Sequence, residues 1–92
     1  MKLYHNGKDY TIVLKPDGLT FHINLLLDDD LLSTAEITYG ADNGFIRPGL
    51  EKRLIGEYAP SKFKARMEQF GRDNALTHIG IYMLKCLDNP SK

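Results

Sequence analysis

Residues 8–27, KDYTIVLKPDGLTFHINLLL, contain two runs of alternating apolar and polar side chains with a turn sequence between them. Successive side chains of a β-strand point to opposite faces, so each run carries its apolar groups on one face. Those groups are Tyr10, Ile12 and Leu14 in the first run, and Leu19, Phe21, Ile23 and Leu25 in the second. The stretch therefore predicts a β-hairpin with one apolar face, on which we expect the rest of the chain to pack.

The turn of this hairpin has the sequence Lys-Pro-Asp-Gly at residues 15–18. Proline fixes its own φ, aspartate bonds its own backbone, and glycine accepts conformations closed to other residues. A four-residue loop pairs Leu14 with Leu19, whereas a three-residue loop pairs Leu14 with Thr20 and brings polar side chains to the core. The apolar pattern therefore favours the four-residue loop.

An Asn-Gly pair at residues 6–7 is typical of a two-residue type I′ hairpin turn. This turn pairs His5 with Lys8 and puts Leu3 opposite Tyr10, so a further strand joins the same apolar face. The opposite face of this three-stranded meander carries Thr11, Val13, Thr20, His22 and Asn24. If helices pack on the apolar face alone, the second face is free, and its candidate partner-binding residues are Thr11, Thr20, His22 and Asn24.

The next segment continues the sheet. Three adjacent carboxylates at residues 28–30 repel one another and end the third strand. Residues 34–39 alternate and are rich in β-branched side chains, which favours a fourth strand. The alternative is a short helix from Asp29, because Ser33 and Glu36 have the spacing of a capping box.

A second Asn-Gly pair, at residues 43–44, predicts a turn into a short edge strand from Phe45 to Arg47, which Pro48 ends. From Pro48 the apolar spacing becomes helical, with Leu50, Leu54 and Tyr58 on one face of a first predicted helix.

A second helix is predicted from Pro60, with Gly71 as its C-terminal cap and with Phe63, Met67 and Phe70 on its apolar face. Residues 75–87 fit both a helix and a strand, and their length and the preceding Asp73-Asn74 favour the helix.

Together these elements predict a single α+β domain over residues 1–92. Its N-terminal part is an antiparallel β-meander of four to five strands, and two or three C-terminal helices pack on one face of it. The composition agrees, since 42% hydrophobic and 26% charged residues are ordinary for a globular domain. No apolar run approaches the roughly 18 residues that span a bilayer. With one cysteine, Cys86, and no signal-like apolar N-terminus, we expect a cytoplasmic protein without membrane contact.

Residue patterns typical of catalytic or metal sites are absent from the sequence. The acidic residues 28–30 lack the alternate ligand spacing and the sixth-position glycine of a calcium loop. His5, His22, His78 and Cys86 have no zinc-type spacing, and no glycine-rich phosphate loop is present. We therefore expect no cofactor, no metal and no enzymatic activity.

Charge is unevenly distributed along the neutral chain. Residues 1–45 have three bases and seven acids, a balance of minus four, whereas residues 46–92 have nine bases and five acids, a balance of plus four. The basic segment from Arg47 to Arg72 favours nucleic-acid binding as an alternative function. Its candidate contacts are Lys52, Arg53, Lys62, Lys64, Arg66 and Arg72. Its aromatic residues have core-facing helical spacing, which weakens a role in base stacking.

The preferred interpretation is a small, non-enzymatic binding or regulatory module that acts through protein–protein interaction, of the accessory or inhibitor type found in bacteria and mobile elements. The C-terminal segment has more apolar groups than one helix stripe needs, which favours homodimerisation. The candidate dimer contacts are Ile81, Tyr82 and Leu84.

Overall fold

The protein is described here by a computed structural model covering residues 1–89. Its elements are β1 (Lys2–His5), β2 (Lys8–Asp17), β3 (Thr20–Leu27), β4 (Asp30–Thr38), β5 (Gly44–Pro48), β6 (Gly56–Tyr58), α1 (Pro60–Phe70) and α2 (Arg72–Asp88). The six strands form one antiparallel sheet in chain order, and the two helices follow. The predicted α+β class and N-terminal meander are confirmed, but the described sheet has six strands instead of four to five.

The hairpin of β1 and β2 has the predicted register. His5 pairs with Lys8 and Leu3 with Tyr10. The turn residues Asn6 and Gly7 have φ values of 51° and 79°, the positive values that a type I′ turn needs at both central positions.

The register of β2 with β3 differs from the prediction. Leu14 pairs with Ile23, Asp17 pairs with Thr20, and the loop is the two-residue Gly18-Leu19. Gly18 has a φ of 63° at the first loop position, where a type II′ turn favours glycine. The two registers differ by an even number of residues, so the predicted apolar face is unchanged. Only Leu19 is lost from it, because it now lies in the turn and is 68% exposed.

Pro16 lies inside β2 instead of in the turn. Ile12 exchanges both backbone hydrogen bonds with Met1, on the side of β2 away from β3. Backbone groups of a strand alternate in direction, so the nitrogen of Pro16 also faces away from β3. The missing N–H therefore removes no bond between β2 and β3.

The acidic segment is a tight turn between β3 and β4. Asp28 and Asp29 have φ values of 50° and 67°, which aspartate tolerates better than most residues. The alternative helix from Asp29 is wrong, because β4 begins at Asp30 and pairs with β3 along its length. Ser33 is fully buried, and its hydroxyl donates a hydrogen bond to the Arg47 carbonyl at 3.0 Å.

The helix predicted after Pro48 is wrong. Leu50 and Leu54 are 89% and 42% exposed, and the chain turns back to form β6 beside β5. The buried residue is Ile55, whose N–H bonds the Ile46 carbonyl at 2.8 Å. β5 is therefore an inner strand, and β6 is the edge strand.

The two remaining helices occur as predicted, but Phe70, which was expected on the apolar face with Phe63 and Met67, is 61% exposed because it lies in the last turn of α1 beyond the core. Gly71, with a φ of 91°, ends α1, and its N–H bonds the Met67 carbonyl. Residues 72–88 form α2, so the alternative strand over residues 75–87 is wrong. Among residues 1–89, no helix combines the length and the apolarity that crossing a membrane requires.

One apolar core lies between the sheet and the helices. The strands and the loop before β6 contribute Leu3, Tyr10, Ile12, Ile23, Leu25, Ala35, Ile37, Ile46, Ile55 and Tyr58, and the helices contribute Phe63, Ala75, Leu76, Ile79, Met83, Leu84 and Cys86. Both helices therefore pack on the same face of the sheet.

Replacement of Gly44 by alanine tests the packing of β5 against its neighbours. A Cβ at Gly44 would lie 2.7 Å from the Tyr58 carbonyl oxygen and 3.0 Å from that of Glu36, and it would overlap the end of the Ile37 side chain. The backbone atoms of a sheet have little room to shift, so we expect G44A to lower the free energy of unfolding by about 2 kcal/mol. Urea unfolding measures this loss. The neighbouring exposed Asn43 provides a control, because N43A should change stability by less than about 0.5 kcal/mol. Equal stability of the two variants would contradict the packing.

Candidate partner-binding surface

The face of the sheet opposite the helices carries polar and half-buried side chains. We call it the outer sheet face and define it by Thr11, Val13, Thr20, His22, Asn24, Thr34, Glu36, Phe45 and Arg47. Each of these residues alternates with a core residue on its strand, so the alternation that builds the core also builds this face. The structure places the four predicted partner contacts Thr11, Thr20, His22 and Asn24 on it together.

Cross-strand hydrogen bonds hold several of these side chains in place. The Thr34 hydroxyl lies 3.2 Å from Asn24 Oδ1 and 3.1 Å from the Gly49 carbonyl oxygen, and it shares its proton between them. The hydroxyls of Thr20 and Thr38 lie 2.9 Å apart. These contacts fix rotamers before any ligand binds, which lowers the entropy cost of binding.

Arg47 joins two neighbours on the outer sheet face. Its guanidinium lies 3.9 Å from the Glu36 carboxylate and 5.9 Å from the centre of the Phe45 ring. Glu36 in turn pairs with His22 across β3 and β4. The sequence interpretation missed Phe45, Arg47 and Glu36, because their place on this face depends on the pairing of β5 with β4. Alternation within residues 44–48 was the available signal.

Tyr4 is a further exposed aromatic residue that the sequence interpretation missed. It pairs with Asp9 across β1 and β2, next to the core residue Leu3, and it is 70% exposed. The alternation around the Asn6-Gly7 turn contained this information, because Leu3 was already placed on the apolar face.

The six bases proposed as nucleic-acid contacts lie in four separate places. Lys52 and Arg53 lie in the loop before β6, where Arg53 is 3.6 Å from Glu51. Lys64 lies over the Tyr39 ring at 5.7 Å, and Arg72 is the first residue of α2. Only Lys62 and Arg66 share one side of α1, next to α2. The six residues therefore do not form one continuous surface.

The three proposed dimer contacts differ in exposure. Leu84 is 8% exposed and belongs to the core, whereas Ile81 and Tyr82 are half-buried. The Tyr82 ring packs edge-on against Tyr58, with 5.4 Å between ring centres. Much of the apolar surface of this segment is thus used within the chain.

A hydrogen bond between Tyr58 and His78 joins β6 to α2. The Tyr58 hydroxyl lies 2.5 Å from His78 Nδ1, and the two rings pack edge-on at 5.7 Å. Burial lowers the pKa of His78, and the positive charges of Arg66, Lys62 and Lys85 lower it further. Burial also raises the pKa values of Tyr58 and Cys86, which keeps the Tyr58 hydroxyl and the Cys86 thiol protonated.

The described residues hold no group of three or more histidine, cysteine, aspartate or glutamate side chains with the geometry of a metal site. A shallow hollow of about 260 Å³ lies where the β4–β5 loop meets the start of α1. Its lining residues are Tyr39, Gly40, Ala41, Pro60, Ser61 and Lys64. None of these is a nucleophile paired with a base.

Comparisons with protein-family models, with curated proteins and with solved structures gave no match to this chain.

The lowered pKa of His78, which burial and the nearby positive charges cause, predicts a pH dependence of stability. The folded state lowers the pKa of His78 below its ordinary value of 6.5, so below pH 6.5 the unfolded chain binds more protons at this position. The contribution of His78 to stability is therefore complete above pH 6.5 and is lost as the pH falls through the lowered pKa. We expect urea unfolding to show a larger loss of stability between pH 7.5 and pH 5 in the wild type than in H78Q. H5Q serves as the control and should keep the wild-type loss, and an equal loss in H78Q would contradict the assignment.

Proposed function

We propose that this protein is a non-enzymatic binding module that acts by docking its outer sheet face on a protein partner. The observation that carries this proposal is the one-sided architecture of the sheet. Both helices pack on the inner face, while the side chains of the outer face are held by contacts between strands. An ordered surface without a covering layer is suited to recognition of another surface.

The composition of the outer sheet face supports a protein as the partner. Hydroxyl and amide groups occupy its central strands, and Phe45 and Arg47 lie together on β5. Aromatic residues and arginine are enriched in protein interfaces, whereas lysine and aspartate are depleted at their centres. Among the residues that define this face, the charge of Arg47 is matched by Glu36, and Lys2, which bonds Thr11, lies at its β1 margin. The centre of the face therefore has no surplus of bases for a nucleic-acid backbone.

Homodimerisation through α2 stays a separate prediction. Two half-buried side chains, Ile81 and Tyr82, supply much less than the about 800 Å² per partner of a standard interface. A dimer of this kind would need neighbouring residues as well. Light scattering over a concentration series tests it: the prediction requires a dimer mass for the wild type and a monomer mass for I81E. A monomer mass for both proteins would contradict it.

A double variant tests the docking surface. In V13K/F45A, one substitution adds a charge to the centre of the outer sheet face and the other removes its aromatic side chain. We expect a bound protein partner to lose affinity by about tenfold or more, as for loss of an interface hot spot. The measurement is affinity capture from host lysate with mass spectrometry of protein and nucleic acid, followed by titration of the captured partner.

The matched control is L19K/L50A, which makes the same types of change at turn positions that are 68% and 89% exposed. This control should retain the partner, and thermal unfolding should show that all three proteins are folded. Retention of the partner by V13K/F45A, or capture of nucleic acid without any protein that depends on this face, would contradict the proposal.

A further inference from the structure

We propose that the groove between α1 and α2 is a binding site for a phosphate group. We call this site the cationic groove and define it by Lys62 and Arg66 of α1 and by His78 and Lys85 of α2. It lies on the helix layer, whereas the outer sheet face lies on the other side of the molecule. The inference is therefore independent of the proposed protein-binding function.

The charges of Lys62 and Arg66 of α1 and of Lys85 of α2 all act on His78. Lys62 and Arg66 are one helical turn apart on α1, and His78 and Lys85 are two turns apart on α2. The Lys62 ammonium lies 5.4 Å from the centre of the Tyr58 ring, and the hydroxyl of the same tyrosine bonds His78. Tyr58 therefore connects a base of α1 with a base of α2.

Arg66 is held across the helix pair. Its Nη1 donates a hydrogen bond to Asn74 Oδ1 of α2 at 3.2 Å. This contact uses one of the five N–H groups of the guanidinium, so four remain for an anion. The guanidinium plane can bond two oxygens of one phosphate at once.

The positive charge of the cationic groove is not neutralised by ion pairs within residues 1–89. The ion pairs of that part of the chain join Arg47 to Glu36 and Arg53 to Glu51, and both lie elsewhere. The repulsion is evident at His78, whose pKa is lowered by burial and then by the charges of Arg66, Lys62 and Lys85. An anion bound among these groups removes the repulsion and favours the protonated ring.

The hydrogen bond with Tyr58 also prepares His78 for this role. It engages Nδ1, so Nε2 is the ring nitrogen left for a ligand. A tyrosine hydroxyl either donates or accepts, so the contact persists when the ring gains a proton. Protonated His78 then donates to the phosphate through Nε2.

Phosphate fits this site better than a single carboxylate does. The groove carries three permanent cations and one histidine, and a phosphate dianion offers more negative charge and more acceptor oxygens than a carboxylate. The same chemistry occurs in a free phosphate or phosphate ester and in the backbone of single-stranded nucleic acid. Phe70, one turn beyond Arg66, is 61% exposed and supplies an aromatic ring on which a base can stack.

The first test uses the full chain and inorganic phosphate. Titration is followed by NMR of the backbone amides and the histidine rings, with chloride at equal ionic strength as the reference. K62Q/K85Q removes two cations that make no hydrogen bond or ion pair in the described structure. We expect this variant to weaken phosphate binding about tenfold, and phosphate to raise the pKa of His78 in the wild type.

The matched control is K8Q/K15Q, which removes the same charge from two exposed lysines outside the groove. It should bind phosphate within about twofold of the wild type, because screened charges at a distance contribute little.

The second test uses a fluorescently labelled single-stranded oligonucleotide and fluorescence anisotropy at increasing salt. If nucleic acid is the source of the phosphate, K62Q/K85Q should reduce the slope of log affinity against log salt by about two. In that case F70A should also weaken binding, while leaving the affinity for inorganic phosphate unchanged.

Selective loss of either ligand in K62Q/K85Q supports the site and identifies the source of the phosphate. Failure of both ligands to bind the wild type would overturn the proposal. So would an equal loss of binding in K62Q/K85Q and K8Q/K15Q. Neither result affects the outer sheet face, since the protein-capture experiment uses different variants.

Discussion

Alternation of apolar and polar side chains along β2, β3 and β4 is the constraint on which the rest of the structure depends. Ile12, Ile23 and Ile37 point to the same side of the sheet and are buried under the helices. Burying each such side chain contributes about 1.5–3 kcal/mol relative to leaving it exposed. The strands therefore determine where α1 and α2 pack. The same alternation places Thr34 and Asn24 on the opposite side, where they bond each other across β3 and β4.

The sequence was sufficient for the identity of the buried face but not for the register of β2 and β3. Pairing Leu14 with Leu19 and pairing it with Ile23 both keep apolar side chains on one side, since the registers differ by an even number of residues. Hydrophobic pattern alone does not distinguish them. The turn determines the register. Gly18 takes the positive φ of a two-residue loop, which allows the strands to pair as far as Asp17 and Thr20.

The segment after Pro48 shows that helical spacing of apolar residues does not by itself produce a helix. Leu50, Leu54 and Tyr58 have helical spacing, but the core receives Ile55 and Tyr58 from this segment. Gly56 lies against Cys86 so closely that a Cβ there would overlap the thiol. This close contact between β6 and α2 exists only after the chain has folded, so no local spacing predicts it. In contrast, α1 and α2 depend on local signals such as Pro60 and Gly71, and both were predicted.

Surface residues also fall into two groups: those that local alternation predicts and those whose position depends on long-range strand pairing. Thr11 and His22 were placed on the outer sheet face from alternation alone, whereas Arg47 joins them only through the pairing of β5 with β4.

No sequence pattern predicts the cationic groove, because Lys62 and Arg66 come close to His78 only through the packing of the two helices. The positive charges of Arg66, Lys62 and Lys85 disfavour protonation of His78 in the folded state, and a bound anion would remove that effect. A phosphate that binds in the groove would therefore also stabilise the packing of α1 against α2.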